Sequence, residues 1–240
     1  MKRIGIIGGV GPQATAYIYQ KLIHASKDIY GAINNNDYPD VIIASVPVPD
    51  FISDTINLET AKAMLVRAAK GLEDAGCDAL CIGSNTVHIL LKDLQSEVKV
   101  PFISMVELVA DRCKELNYTR VALLGTPILL KSGLYDKALA ARKITLIKPD
   151  SEQIEICDTV IRAIIGGSTE IPFKDEYVAV LSSMFDQKAD AIILGCTELP
   201  LVLDYEVLGK RILSSDVIMA QGIAKFCYED AKISSDTTLN

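Results

Sequence analysis

The stretch Asp78-Ala-Leu-Cys-Ile-Gly-Ser84-Asn-Thr86 returns 112 residues later as Asp190-Ala-Ile-Ile-Leu-Gly-Cys196-Thr-Glu198. Each copy is a short apolar run that ends in glycine and a small nucleophilic side chain. Such a run reads as a buried strand delivering a reactive group at its carboxyl end. Two further echoes accompany it: Arg3-Ile-Gly-Ile-Ile-Gly with Arg120-Val-Ala-Leu-Leu-Gly, and Pro101-Phe-Ile-Ser with Arg211-Ile-Leu-Ser, at offsets of 117 and 110. Three offsets this close point to an internal duplication. Two related halves would present their strand ends to a shared cleft, with Ser84 and Cys196 as pseudo-symmetry mates.

Between the echoes, apolar runs alternate with segments of helical period. Strands are expected at Arg3–Ile7, Val41–Val46, Ala79–Ile82, Phe102–Ile103, Arg120–Leu124, Asp190–Leu194 and Arg211–Leu213. Helices are expected at about Pro12–Ser26, Leu58–Ala75 and Ile89–Glu97. The alternation predicts an α/β fold of two pseudo-symmetric domains, each a mostly parallel sheet covered by helices on both faces. Residues 1–100 with 210–240 form the first expected domain and 101–209 the second. The tail from Lys232, rich in Ser, Thr and Asp, reads as disordered.

Half of the 240 residues are apolar and only 23% are charged, which is ample for a packed core. A net charge of −7 without any Lys/Arg block argues against nucleic acid or an anionic membrane as the partner. A small molecule is the expected partner. The start of the chain runs straight into a strand pattern and lacks a signal-peptide h-region, so a cytoplasmic location is expected. The six cysteines have no metal-ligand spacing, and reduced thiols are the expectation.

Gly8-Gly-Val-Gly-Pro12 follows the first strand and opens a helix. Its glycines let the backbone approach a ligand, and the helix amides attract an anion. It lacks the dinucleotide fingerprint, and Pro12 suits a first helical turn. Val10 and Gly11 are therefore candidate contacts for a carboxylate or phosphate. Asn85, Thr86, Thr126 and Thr197 sit at strand ends where a side chain caps a helix or holds a carboxylate. Cys196 stands apart from the other thiols because the start of a helix favours thiolate, whereas Cys77, Cys81, Cys113, Cys157 and Cys227 read as core residues. His24 also reads as structural, and His88 either is structural or orients the nearby site.

Taken together, Gly8-Gly-Val-Gly-Pro-Gln-Ala-Thr15, Asn85-Thr-Val-His88, Ser132-Gly-Leu-Tyr135 and Gly195-Cys-Thr-Glu-Leu-Pro200 resemble the signature blocks of the aspartate/glutamate racemase family, in its aspartate-racemase branch. Glutamate racemase proper is a poorer match, because the Asp-Ser-Gly of its first loop is absent. The resemblance implies two duplicated α/β domains, a homodimer, no cofactor, and two cysteines flanking the α-carbon of an amino acid. One thiolate removes the α-proton and the opposite thiol supplies a proton to the other face.

The chain departs from the family pattern in two places. Ser84 stands where the family usually has its first cysteine, and a hydroxyl is a far weaker acid than a thiol. An engineered substitution, a natural one-sided racemase and a one-cysteine relative each account for it. The arginine and lysine that usually hold a distal carboxylate are expected to be replaced by Phe51 and Ile165, which argues against aspartate as substrate. The leading expectation is a cofactor-independent amino-acid racemase or epimerase using Cys196 and position 84. The alternatives are a one-cysteine decarboxylase or isomerase resembling arylmalonate decarboxylase, and a non-catalytic binder of small acids.

Overall fold

A computed structural model of the chain describes residues 1–49, 57–168, 172–197, 199–201 and 211–229. Phe51, Glu198 and the Ser/Thr-rich tail lie outside the described residues. The first half runs β1 (Arg3–Gly8), α1 (Pro12–Tyr30), β2 (Asp40–Ser45), α2 (Leu58–Asp74), β3 (Ala79–Ile82), α3 (Leu91–Ser96) and β4 (Phe102–Ile103). Next come α4 (Met105–Glu115), β5 (Arg120–Leu124), α5 (Pro127–Lys131), α6 (Leu134–Ala140) and β6 (Thr145–Ile147). The chain continues through α7 (Ser151–Ile165), α8 (Lys174–Asp186), β7 (Ala191–Leu194), β8 (Ile212–Ser214) and α9 (Ser215–Tyr228).

The strands form two parallel sheets of four, in the orders β2-β1-β3-β4 and β6-β5-β7-β8. The second order repeats the first with each strand replaced by its duplicate. The equivalence reaches single hydrogen bonds. The Asp78 carboxylate accepts from the Arg3 amide at 2.7 Å, and the Asp190 carboxylate accepts from the Arg120 amide at 2.9 Å. At the other end, the Gly83 amide donates to the Ile7 carbonyl at 2.9 Å and the Gly195 amide donates to the Leu124 carbonyl at 2.7 Å. Each repeat thus begins with an aspartate that ties two strand starts together and ends with a glycine that ties two strand ends.

Alternate residues of each central strand face opposite layers. Ile4, Ile6, Ala79 and Cys81 pack against α1 and α9, whereas Ile7, Leu80 and Ile82 pack against α2 and the segment around Val87 and Leu94. In the second half, Val121, Leu123 and Ile193 meet α4 and α6, whereas Ala122, Leu124 and Ile192 meet α7 and α8. Burial on both faces is why these strands read as unbroken apolar runs. After β8 closes the second sheet, α9 returns to pack on α1 of the first half.

Candidate active site

A cavity of about 380 Å³ opens where the carboxyl ends of both sheets meet. Its size suits an amino acid or a comparably small acid. From the first half it is lined by Val10 and Gly11 of the loop before α1, and by Ser84, Asn85 and Thr86 after β3. From the second half it is lined by Thr126 after β5 and by Cys196 and Thr197 after β7. All eight residues singled out in the sequence therefore border one space.

The glycine loop is shaped by close approach. Gly9 has φ +87°, and a Cβ there would lie 2.5 Å from the backbone nitrogen of Val46. The Gly9 amide donates to Thr15 Oγ1 at 3.0 Å, and that hydroxyl donates to the Gly11 carbonyl at 3.1 Å, folding the loop onto the first turn of α1. No side chain caps the helix at Gly11, and Pro12 occupies its first turn. The α1 N-terminus thus borders the cavity with its positive end.

Ser84 and Cys196 are 7% and 5% exposed, at equivalent strand ends. Among the described residues the Ser84 hydroxyl makes no hydrogen bond. His88 serves the Ser84 backbone instead: its Nδ1 lies 2.8 Å from the Ser84 carbonyl, while Nε2 accepts from the Met105 amide at 3.0 Å. An amide can only donate, so Nε2 is unprotonated and Nδ1 carries the proton. Burial lowers the imidazole pKa to about 4, consistent with this neutral form. His88 is therefore a fixed strut between Ser84 and the start of α4, with neither nitrogen positioned to activate the Ser84 hydroxyl.

Asn85 is held from the opposite half. Its carbonyl oxygen accepts from the buried Tyr135 hydroxyl at 2.7 Å, and its amide nitrogen donates to Ser215 Oγ at 2.8 Å. Ser215 in turn donates to the Leu194 carbonyl at 2.9 Å, two residues before Cys196. This chain ties the strand end carrying Ser84 to the one carrying Cys196, and it gives Tyr135 of the Ser132-Gly-Leu-Tyr135 block a physical role. Thr86 Oγ1 and Thr126 Oγ1 meet at 2.9 Å across the halves, and Thr126 also caps α5 by accepting from the Leu129 amide. Asn85 makes no capping bond to the short 3₁₀ turn after it.

The other cysteines are away from the cavity lining, and burial raises the pKa of every one. The Cys113, Cys157 and Cys227 thiols are pushed up to about 12, and those of Cys77 and Cys81 are raised as well. Cys196 lies in the loop before a 3₁₀ turn at Leu199–Leu201, the last described residues before position 211.

The sequence does not single out the cavity's charged residue. Arg162 of α7 lines the space beside Ile165 and Gly166, and it is the one charged side chain among the described lining residues. The apolar Ile165 is present as expected, but a cation stands less than one helical turn before it. The helical i, i+3 spacing from Ile165 is the signal that could have found it. Among the described residues no group of three or more His, Cys, Asp and Glu could hold a metal ion, and no helix is long and apolar enough to cross a membrane.

The profile of the Asp/Glu/Hydantoin racemase family matches residues 7–221. Broad specificity amino-acid racemase RacX of Bacillus subtilis (strain 168) is 29% identical over 220 residues, covering 91% of this chain and 95% of that protein. The crystal structure of an aspartate racemase homologue from Pyrococcus horikoshii OT3 is 30% identical with a TM-score of 0.79, covering 95% of this chain and all of the other. Picrophilus torridus aspartate racemase is 26% identical with a TM-score of 0.73, covering 92% and 95%.

Proposed function

Because this chain belongs to the Asp/Glu/hydantoin racemase family, we propose that it is a cofactor-independent amino-acid racemase or epimerase. In this reading Cys196 is the acid/base on one face of the substrate α-carbon and position 84 serves the other. The observation that carries it is the pairing of Ser84 and Cys196, at the ends of equivalent strands, around one cavity of amino-acid size.

The Cys196 thiolate takes the α-proton, and the electron pair of the broken C–H bond moves into the carboxylate to give an enediolate. Strand-end amides and the hydroxyls of Thr86, Thr126 and Thr197 surround that charge, with Val10, Gly11 and Asn85 completing the binding surface. A proton returned by Cys196 regenerates the starting enantiomer, and one delivered from position 84 inverts it. Among the described residues the Ser84 hydroxyl has no neighbouring base to restore it after donating. The chain as it stands therefore exchanges the α-proton on the Cys196 face faster than it inverts the centre. The same reading carries a homodimer working in the cytoplasm.

The test is incubation of the protein and its Ser84→Cys variant in deuterated water with a panel of amino acids. Deuterium at Cα with loss of optical rotation supports racemisation; absence of exchange with every amino acid in both proteins refutes it. A hydroxyl at position 84, without a hydrogen bond among the described residues, favours one second reading, a one-cysteine decarboxylase in which Cys196 protonates the enediolate left by departing carbon dioxide. Carbon dioxide release from substituted malonates would identify it. Tight binding without turnover in either protein would identify a non-catalytic binder of small acids.

A further inference from the structure

We infer that the cleft between α1 and the segment leading into β2 is a second binding site, for a small uncharged molecule with an apolar body and one hydroxyl. The inference stands apart from the racemase reading, because among the described residues this cleft shares no lining residue with the active-site cavity. Its volume is about 360 Å³. One wall is the face of α1 carrying Leu22, Ile23 and Ser26, and the other includes Tyr38, Pro39 and Val41. Ser26 follows Pro12, which borders the active site, by 14 residues. At about 1.5 Å per residue the two sites are about 20 Å apart along the helix.

Ser26 is fully buried, and among the described residues its hydroxyl has no hydrogen-bond partner. Other helical hydroxyls of the chain turn back onto their own helix. Thr159 Oγ1 donates to the Glu155 carbonyl at 2.9 Å, and Ser183 Oγ donates to the Val180 carbonyl at 2.8 Å. Ser26 makes no such bond. An unpaired buried hydroxyl opposes folding, and alanine in its place would be a better helix former with nothing to satisfy. Folding alone therefore does not account for a serine here, whereas a partner arriving in the cleft that Ser26 lines does.

The opposite wall is held in shape before any ligand arrives. The Asp37 carboxylate accepts from the Ile33 and Asn34 amides at 3.0 and 2.7 Å, and the Tyr228 hydroxyl donates to the Asp37 carbonyl at 2.6 Å. The rings of Tyr228 and Tyr30 stack 4.4 Å apart at the end of α1. A wall fixed in this way leaves little to be ordered on binding. Among the described residues no charged side chain lines the cleft, so a charged ligand would lose its hydration without gaining a counter-charge. A neutral ligand instead lays its apolar body against Leu22, Ile23, Pro39 and Val41 and brings its hydroxyl to Ser26.

The experiment titrates the whole chain with phenol, toluene and benzoate by ligand-observed NMR. Phenol is expected to bind saturably and more tightly than toluene or benzoate. Ser26→Ala is expected to weaken phenol about fivefold, the usual worth of one neutral hydrogen bond, and to leave toluene unchanged. Cys196 alkylation, which reads the active-site cavity, should proceed at the same rate with phenol present. The variant should also be at least as stable to urea as the parent, because it loses an unpaired hydroxyl. No saturable phenol binding, binding insensitive to Ser26→Ala, protection of Cys196 by phenol, or a less stable variant would each overturn the inference.

Discussion

His88 makes the stability of this fold depend on pH in a way that can be calculated. Its imidazole pKa is about 4 in the folded protein, against an ordinary value of 6.5. Between these values the unfolded chain binds more protons than the folded one, so stability rises with pH. The contribution is complete above pH 6.5 and is lost as pH falls towards 4, reaching about 3 kcal/mol in all at about 1.4 kcal/mol per pH unit. Between pH 7.5 and 5 the loss is about 2 kcal/mol. Protonating Nε2 also removes the acceptor for the Met105 amide. His88→Asn separates this effect from other titrations. Its side-chain amide can still donate towards the Ser84 carbonyl, but it does not titrate and leaves the Met105 amide unmatched, at about 1–3 kcal/mol. Urea unfolding at several pH values is the assay. At pH 7.5 the variant is expected to be the less stable protein, with the gap narrowing by about 2 kcal/mol by pH 5. Parallel loss of stability in both would refute the neutral-strut assignment.

Peptide-resolved alkylation should find Cys196 reacting faster than the other five thiols, whose ionisation burial suppresses; equal rates would remove its special status. Tyr135→Phe deprives a buried acceptor on Asn85 of its donor and should lower stability by about 1–3 kcal/mol in urea titrations. The same substitution should reduce the α-proton exchange rate more than it raises KM, since the contact positions Asn85; a change confined to KM would contradict that role.

The sheets are legible in the sequence because parallel strands covered on both faces appear as apolar runs. Ala79–Ile82, Phe102–Ile103 and Arg120–Leu124 are read directly. The repeat also marks its own logic, since its Asp and Gly perform the same hydrogen bonding in each half. β6 is not read: three residues, Thr145–Ile147, are too short for a period to emerge. The helix expected to end at Ser26 runs four residues further, to a Gly31 cap at φ 72°.

Strand-end site residues are legible because strand direction alone determines which loops meet. Arg162 is not, because a helix residue reaches the cleft only through the packing of α7 against its sheet. His88 is visible as a candidate, yet its role depends on an amide at Met105, 17 residues away. Tyr135 belongs to a recognisable block, but its partner Asn85 is 50 residues distant in the other half. Contacts of this kind follow from the duplicated fold as a whole and have no local pattern.

In the proposed mechanism positions 84 and 196 meet opposite faces of an α-carbon in one cavity, and of the two only Cys196 carries a thiol. The decisive measurement follows Cα deuteration and optical rotation together, in the Ser84 protein and in Ser84→Cys. The Ser84 protein is expected to exchange its α-proton with retention faster than it racemises. Restoring a thiol at position 84 should raise racemisation about 10²–10⁴-fold, the usual contribution of a positioned acid or base. Racemisation that is equally fast in both proteins, or absent from Ser84→Cys while Cys196 still exchanges, would contradict it.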